Sequence, residues 1–225
     1  MKTMIMRAAV ALTAGLALAT LSTTAHAEGP ERAPVLVPLQ VGVSALQLAT
    51  EDRTGYKRTS FKHWNAGANP SDGCNTRQEV LIAEAVELAV IGPGCTLTGG
   101  TWLSYYDDRL VTPAGSLDID HVVPLAEAWD SGASSWTAAR REAYANDLGQ
   151  GTSLVAVTAK SNRSKADQDP AEWLPTSPQA WCRYGAEWTA TKLRWGLAVD
   201  EAERAQLLEI AAGCKETIVS FTPAP

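Results

Sequence analysis

The sequence predicts a single α+β domain, mostly helical and interrupted by a few short strands. Three observations carry that reading. Capping residues stand ahead of several apolar stretches, compact apolar runs such as LDIDHVV and LVAV have strand character, and no repeat, low-complexity tract or linker divides the chain. Setting aside the first 27 residues leaves 198, enough for one domain (28–225) with a sizeable core.

Those first 27 residues read as a secretory signal peptide. Lys2 and Arg7 precede the apolar run AAVALTAGLALATL, and Ala25-His26-Ala27 closes it with small residues. The run is too short and too rich in alanine for a membrane span, so export is expected, with a mature chain starting near Glu28 and no membrane segment. An uncleaved anchor is the alternative. The mature chain carries 17 basic and 25 acidic residues, a net charge of −8. Bulk charge therefore excludes a protein that coats nucleic acid, and any polyanion site must rest on a local basic cluster or a bound cation.

Four cysteines in an exported chain read as two disulfides. Three pairings are open; sequence neighbours, Cys74–Cys95 and Cys182–Cys214, are favoured, each worth about 3 kcal/mol by loop closure. The rival, a zinc site, lacks any C-x-x-C spacing.

The elements follow in order. Residues 28–38 hold three prolines and read as an extended leader, followed by a short helix over Ser44–Thr50. Thr76-Arg77-Gln78-Glu79 has capping-box spacing, so a helix is predicted from there until Gly92-Pro93-Gly94 stops it. Residues 96–98 and 101–106 predict a strand pair turned at Gly99-Gly100. A strand over 117–123, ended by Pro124, precedes helical pieces over 125–130 and 136–145. Then come the strand 154–157 and a helix-like segment, TAKSNRSKADQDP. Asp169 and Asp200 each begin a capping box, and Ser177-Pro178 starts another helix. Along it Trp181, Trp188 and Trp195 recur every seven residues, with Tyr184 on the same stripe: a packing face.

Two strands and the basic helix behind the second compose a small ββα unit, about residues 115–168. Such a unit can aim the carboxylate of Asp120, the imidazole of His121 and the carboxamide of Asn162 at one point. Asp120 and Asn162 offer hard oxygen ligands of the kind that suit Mg²⁺, Mn²⁺ or Ca²⁺. His121 can take a proton from water. Phosphodiester hydrolysis needs that combination. Lys160, Arg163 and Lys165 would supply the positive surface that the chain as a whole lacks.

The runs IDHVVPLAEAWDSGA, LVAV and NRSKADQDPAEWLP, with Cys74-Asn75-Thr76-Arg77-Gln78-Glu79-Val80-Leu81 and Gly100-Thr101-Trp102, resemble the HNH (His-metal finger) endonucleases. They look most like the secreted bacterial branch, over about residues 55–215. The resemblance implies a ββα-metal core, one divalent cation with Mg²⁺ foremost, His121 as general base, and Asp120 and Asn162 as metal ligands. It implies nucleic acid as substrate, DNA first and RNA open; no obligate protein partner is evident.

Two departures stand out. Ser153 occupies the position where the family has an asparagine that braces the histidine loop, and Asn146 is a candidate substitute. His121 and Asn162 also stand 41 residues apart, wider than in compact HNH motifs, because a helical insert separates the strands.

Blander readings apply residue by residue. His121 could be a core histidine bonded to Asp118 or Asp120, Asp118 a solvated strand carboxylate, and Asn162 a helix cap. Lys160, Arg163 and Lys165 could be a wet helix face. Arg77 could contact phosphate or brace the site, with a salt bridge to a nearby carboxylate the first expectation. His63 has no acid beside it and reads as structural. No G-x-S-x-G motif supports serine-hydrolase chemistry. The competing function is a secreted binding module that keeps the scaffold with weak or no activity.

Overall fold

The computed structural model describes residues 33–225, so the expected signal peptide lies outside the described residues. Among the described residues, seven strands form three small antiparallel sheets. The first sheet pairs β1 (Val35–Pro38) with β7 (Ile218–Phe221). The second is β2 (Ala85–Gly92), β3 (Thr96–Ser104) and β4 (Arg109–Val111). The third pairs β5 (Leu117–His121) with β6 (Leu154–Thr158). Seven α-helices accompany them: α1 (Leu39–Ala45), α2 (Thr76–Glu84), α3 (Leu125–Asp130), α4 (Ala138–Ala145), α5 (Ala159–Lys165), α6 (Trp181–Trp195) and α7 (Glu201–Gly213). This is a mixed helix and strand architecture, as the sequence predicts. Among the described residues no helix is long and apolar enough to cross a membrane.

Several boundaries differ from expectation, for local reasons. Helix α1 begins directly after Pro38, five residues before the predicted start, because it packs against α6 and α7. The capping box of α2 sits one residue earlier than predicted. Asn75 Oδ1 accepts from the Gln78 backbone amide, and the Asn75 amide donates to Gln78 Oε1. That helix stops at Glu84. Val86, Leu88 and Val90 alternate with other residues and continue as β2 instead of helix. The hairpin turn is consequently Pro93–Cys95, and Gly99 and Gly100 lie inside β3 with positive φ. At Gly100 a Cβ would sit 2.6 Å from the Trp102 ring and 2.9 Å from Ala89, so the bare backbone lets Trp102 pack inward.

Strand β5 ends at His121, two residues short of the predicted limit. The Asp169 capping box makes only a turn, its Oδ1 accepting from the Ala171 and Glu172 amides. At the third, Asp200 caps α7 as expected by accepting from the Glu203 amide at 2.7 Å, without the reciprocal bond of a full capping box.

Two apolar clusters hold the fold. The larger gathers α1, α3, α6 and α7 around Tyr184, Trp188 and Trp195, which are buried on one face of α6; Trp181, the first of the stripe, is 37% exposed. The smaller lies between α2 and the β5–β6 pair, with Leu81, Trp102, Leu117 and Leu154. Cys74–Cys95 joins the start of α2 to the β2–β3 turn, and Cys182–Cys214 joins α6 to the end of α7. Both are the pairings favoured from sequence.

Strand β6 would leave an open edge, and side chains close it. Glu84 Oε2 accepts from the Ala156 amide at 2.7 Å, and Ser104 Oγ accepts from the Thr158 amide at 2.9 Å. This short pair is thereby fixed tightly enough to position side chains.

Candidate active site

Strands β5 and β6 pair in unbroken register, with Asp120 opposite Val155 and His121 opposite Leu154. The period of two places Asp118 and Asp120 on one side of β5. The chain leaves β6 straight into α5, whose start is capped by Thr158 through the Ser161 amide. Asn162 and Lys165, three residues apart on one helix face, therefore meet the two carboxylates. Lys165 Nζ pairs with Asp120 Oδ2 at 2.7 Å and donates to the His121 carbonyl at 3.0 Å. Asn162 Nδ2 donates to Asp118 Oδ2 at 3.1 Å. Positive φ at Ala166 then ends the helix.

Two donor oxygens remain. Asp120 Oδ2 is taken by Lys165 and by the Tyr106 hydroxyl at 2.7 Å, and among the described residues no hydrogen bond reaches Oδ1. The Asp118 contact consumes the amide end of Asn162 and leaves its carbonyl oxygen free. Burial pushes the Asp120 carboxyl up and the Lys165 ammonium down, while their mutual attraction opposes both shifts.

His121 is buried and is not bonded to either aspartate. Its Nε2 lies 2.9 Å from the Ala145 carbonyl. A carbonyl only accepts, so Nε2 carries the hydrogen and Nδ1 keeps its lone pair. The ring stacks on Trp64 (5.8 Å between centroids) and Tyr144 (6.2 Å). Burial lowers the imidazole to about 3, with the charges of His63, Arg58 and Lys165 acting in the same direction, so the ring is neutral near pH 7.

Among the described residues Ser153 makes no hydrogen bond to the histidine ring. Its Oγ donates to Asp147 Oδ2 at 2.9 Å, and Arg194 and Trp195 hold the same carboxylate. Asp147 lies two residues beyond Ala145, whose carbonyl holds the imidazole, so Ser153 steadies that turn indirectly. Its own carbonyl accepts from the Val122 amide at 3.0 Å. Asn146 braces the turn from the other side. Its Oδ1 accepts from the Asn65 amide and the Thr76 hydroxyl, and its Nδ2 donates to the Lys62 and Glu142 carbonyls.

Asp120, His121, Asn162 and Arg163 line one cleft of about 300 Å³, together with Arg58 and Asp167. Sequence reasoning missed Arg58, Tyr106, Trp64 and Ala145. None sits in a motif, and the last acts through its backbone.

Two expectations need correction. Lys165 is fully buried on Asp120 and is not a surface cation for phosphate. Among the described residues Arg77 makes no salt bridge; its guanidinium donates to the Leu117 and Ala114 carbonyls and braces the start of β5. Lys160 and Arg163 are exposed, and only Arg163 borders the cleft. His63 binds the Phe61 carbonyl through Nδ1 and stands edge-on to His121 at 6.4 Å. A larger hollow of about 510 Å³ lies near Glu142, Asp147 and Arg194, but its polar groups are already paired with one another.

Residues 95–210 match the family described as GmrSD restriction endonucleases, C-terminal domain. The chain belongs to this family. The match contains β5, β6, α5 and every residue of the cleft except Arg58. A relative from Arthroderma benhamiae, named an uncharacterized secreted protein, is 38% identical over 199 residues, covering 88% of this chain and 95% of that protein. The relative is fungal, so likeness to this chain is not confined to bacterial proteins. No solved structure matches.

Proposed function

We propose that the protein is an exported, metal-dependent endonuclease of the HNH (His-metal finger) type that hydrolyses phosphodiester bonds, with DNA as the first substrate to test and RNA open. The observation that carries the reading is the cleft itself. One free oxygen on Asp120, one on Asn162 and an unprotonated ring nitrogen on His121 belong to residues that line the same hollow. Family membership supports a nuclease. The secreted relative and the two disulfides support an extracellular location.

Both free oxygens are hard donors, so the residues present fit a divalent cation, Mg²⁺ foremost, with Mn²⁺ or Ca²⁺ as alternatives. Held by Asp120 and Asn162, the ion would screen a phosphate oxygen and stabilise the leaving oxygen. The rest is done by the chain. His121 Nδ1 takes the proton of the attacking water, while the Ala145 carbonyl fixes the ring and its tautomer. Lys165 and Tyr106 fix the Asp120 carboxylate, and Asp118 turns the Asn162 carboxamide so that its oxygen is free. Arg58 and Arg163 offer charge to the phosphate at the rim.

The test is plasmid nicking by the purified chain with Mg²⁺ or Mn²⁺, with and without EDTA. Nicking that EDTA abolishes is expected. Absence of cleavage with every cation would refute the proposal and leave the binding-module alternative.

A further inference from the structure

Five carboxylates outside the cleft converge from four segments of the chain. Oxygens of Glu51, Glu127 and Asp130 lie within 4.8 Å of one another, and so do those of Glu51, Asp169 and Asp200, so Glu51 belongs to both groups. Glu127 and Asp130 come from α3, Asp200 caps α7, Asp169 lies in the loop after α5, and Glu51 lies in the loop after α1. Among the described residues only two cations pair with them. Arg53 reaches Asp130 Oδ2 at 2.5 Å, and Lys192 reaches Glu127 Oε1 at 2.8 Å.

Two buried oxygens of the cluster have no hydrogen-bond partner among the described residues, Asp130 Oδ1 and Glu51 Oε1. The Asp130 side chain is only 2% exposed and belongs to the first of these groups, so its free oxygen is buried in an acidic surrounding. A buried, unsatisfied carboxylate oxygen among like charges is costly unless something positive joins it.

We propose that this cluster is a Ca²⁺ site, separate from the catalytic cleft, that ties the Glu51 loop to α3, the Asp169 loop and the start of α7. The donors are all oxygen and mostly anionic, with no imidazole or thiolate, which selects a hard cation. They come from four segments, and Ca²⁺ accepts six to eight oxygens in irregular geometry, where Mg²⁺ demands a near-ideal octahedron. Asp169 and Asp200 each spend one oxygen on backbone amides and keep the other. Glu51 and Asp200 also line a surface hollow of about 480 Å³ through which an ion can arrive. None of the five lines the catalytic cleft.

The experiment uses the chain stripped with EDTA, dialysed, and titrated with CaCl₂ by calorimetry and thermal unfolding. Ca²⁺ at roughly a hundredfold excess over Kd should raise Tm by about 5–10 °C. Glu51→Gln should lose at least tenfold in affinity and most of that rise, whereas Asn162→Ala, altered only in the cleft, should keep both. Asp200→Asn should behave like Glu51→Gln while preserving the helix cap, and it decides the matter if the Gln variant does not fold. No rise in the wild type, a rise that survives Glu51→Gln or Asp200→Asn, or one abolished by Asn162→Ala would overturn the proposal.

Discussion

Lys165 and Lys192 are both fully buried, and their surroundings differ in one decisive respect. Lys192, on α6, meets Glu127, Ser131, Glu203 and the Ala198 carbonyl, all within 3.0 Å. It ties three helices together, and burial still pushes Glu203 up to about 7 against its attraction. Lys165, on α5, meets one carboxylate oxygen and one carbonyl, and the other oxygen of that carboxylate stays free on a residue lining the cleft. A buried cation is thus no sign of function by itself. What marks the Asp120 centre is a carboxylate anchored on one side and available on the other.

The largest expected effect falls on the closed centre. Lys192→Met strands two buried carboxylates and should cost about 3–5 kcal/mol in urea unfolding. A loss under about 1 kcal/mol would erase the contrast. Lys165→Met should cost less, about 2–3 kcal/mol, because Asp120 keeps the Tyr106 hydroxyl and borders the cleft. It should also slow plasmid cleavage by roughly 10- to 100-fold, since the proposed ligand loses its anchor. Unimpaired cleavage would mean that the ion pair serves folding alone.

Glu84 sharpens the comparison as a carboxylate with which no cation pairs among the described residues. Burial raises it to about 7, although the Ala156 amide pulls the other way. A carboxyl raised in the folded state contributes stability below its ordinary value of 4.5 that is lost as pH climbs to about 7. Between pH 5 and 8 the wild type should therefore lose about 1–2 kcal/mol more than Glu84→Gln, measured by paired thermal melts. Parallel pH profiles would contradict this. The smallest effect is expected of Tyr106→Phe, about 1 kcal/mol in urea unfolding, for one hydrogen bond to a carboxylate that retains Lys165.

The sequence disclosed the parts of the site that are local. Asp120 and His121 are adjacent, Asn162 sits on the helix directly after β6, and residue types and order alone could suggest that they converge. Residues acting through distant or backbone contacts were not legible. Ala145 serves through its carbonyl, Arg58 has no motif, and Lys165 looked like a surface cation until the fold turned it inward. Ser153 reads as a weakened brace in one dimension, whereas in space Asp147, Arg194 and Asn146 share the task. In the fold, periodicity misled where β-branched residues followed a capped helix. The run after Glu84 is strand because it can pair with Thr96–Ser104, a tertiary fact.

The most direct measurement is cleavage of supercoiled plasmid by His121→Ala beside the wild type in Mg²⁺, with a melt of each protein. Loss of at least a thousandfold in rate is the expected result, with a cooperative melt showing that the variant still folds although the lost buried ring lowers its melting temperature. Wild-type nicking by a folded His121→Ala chain would contradict the account.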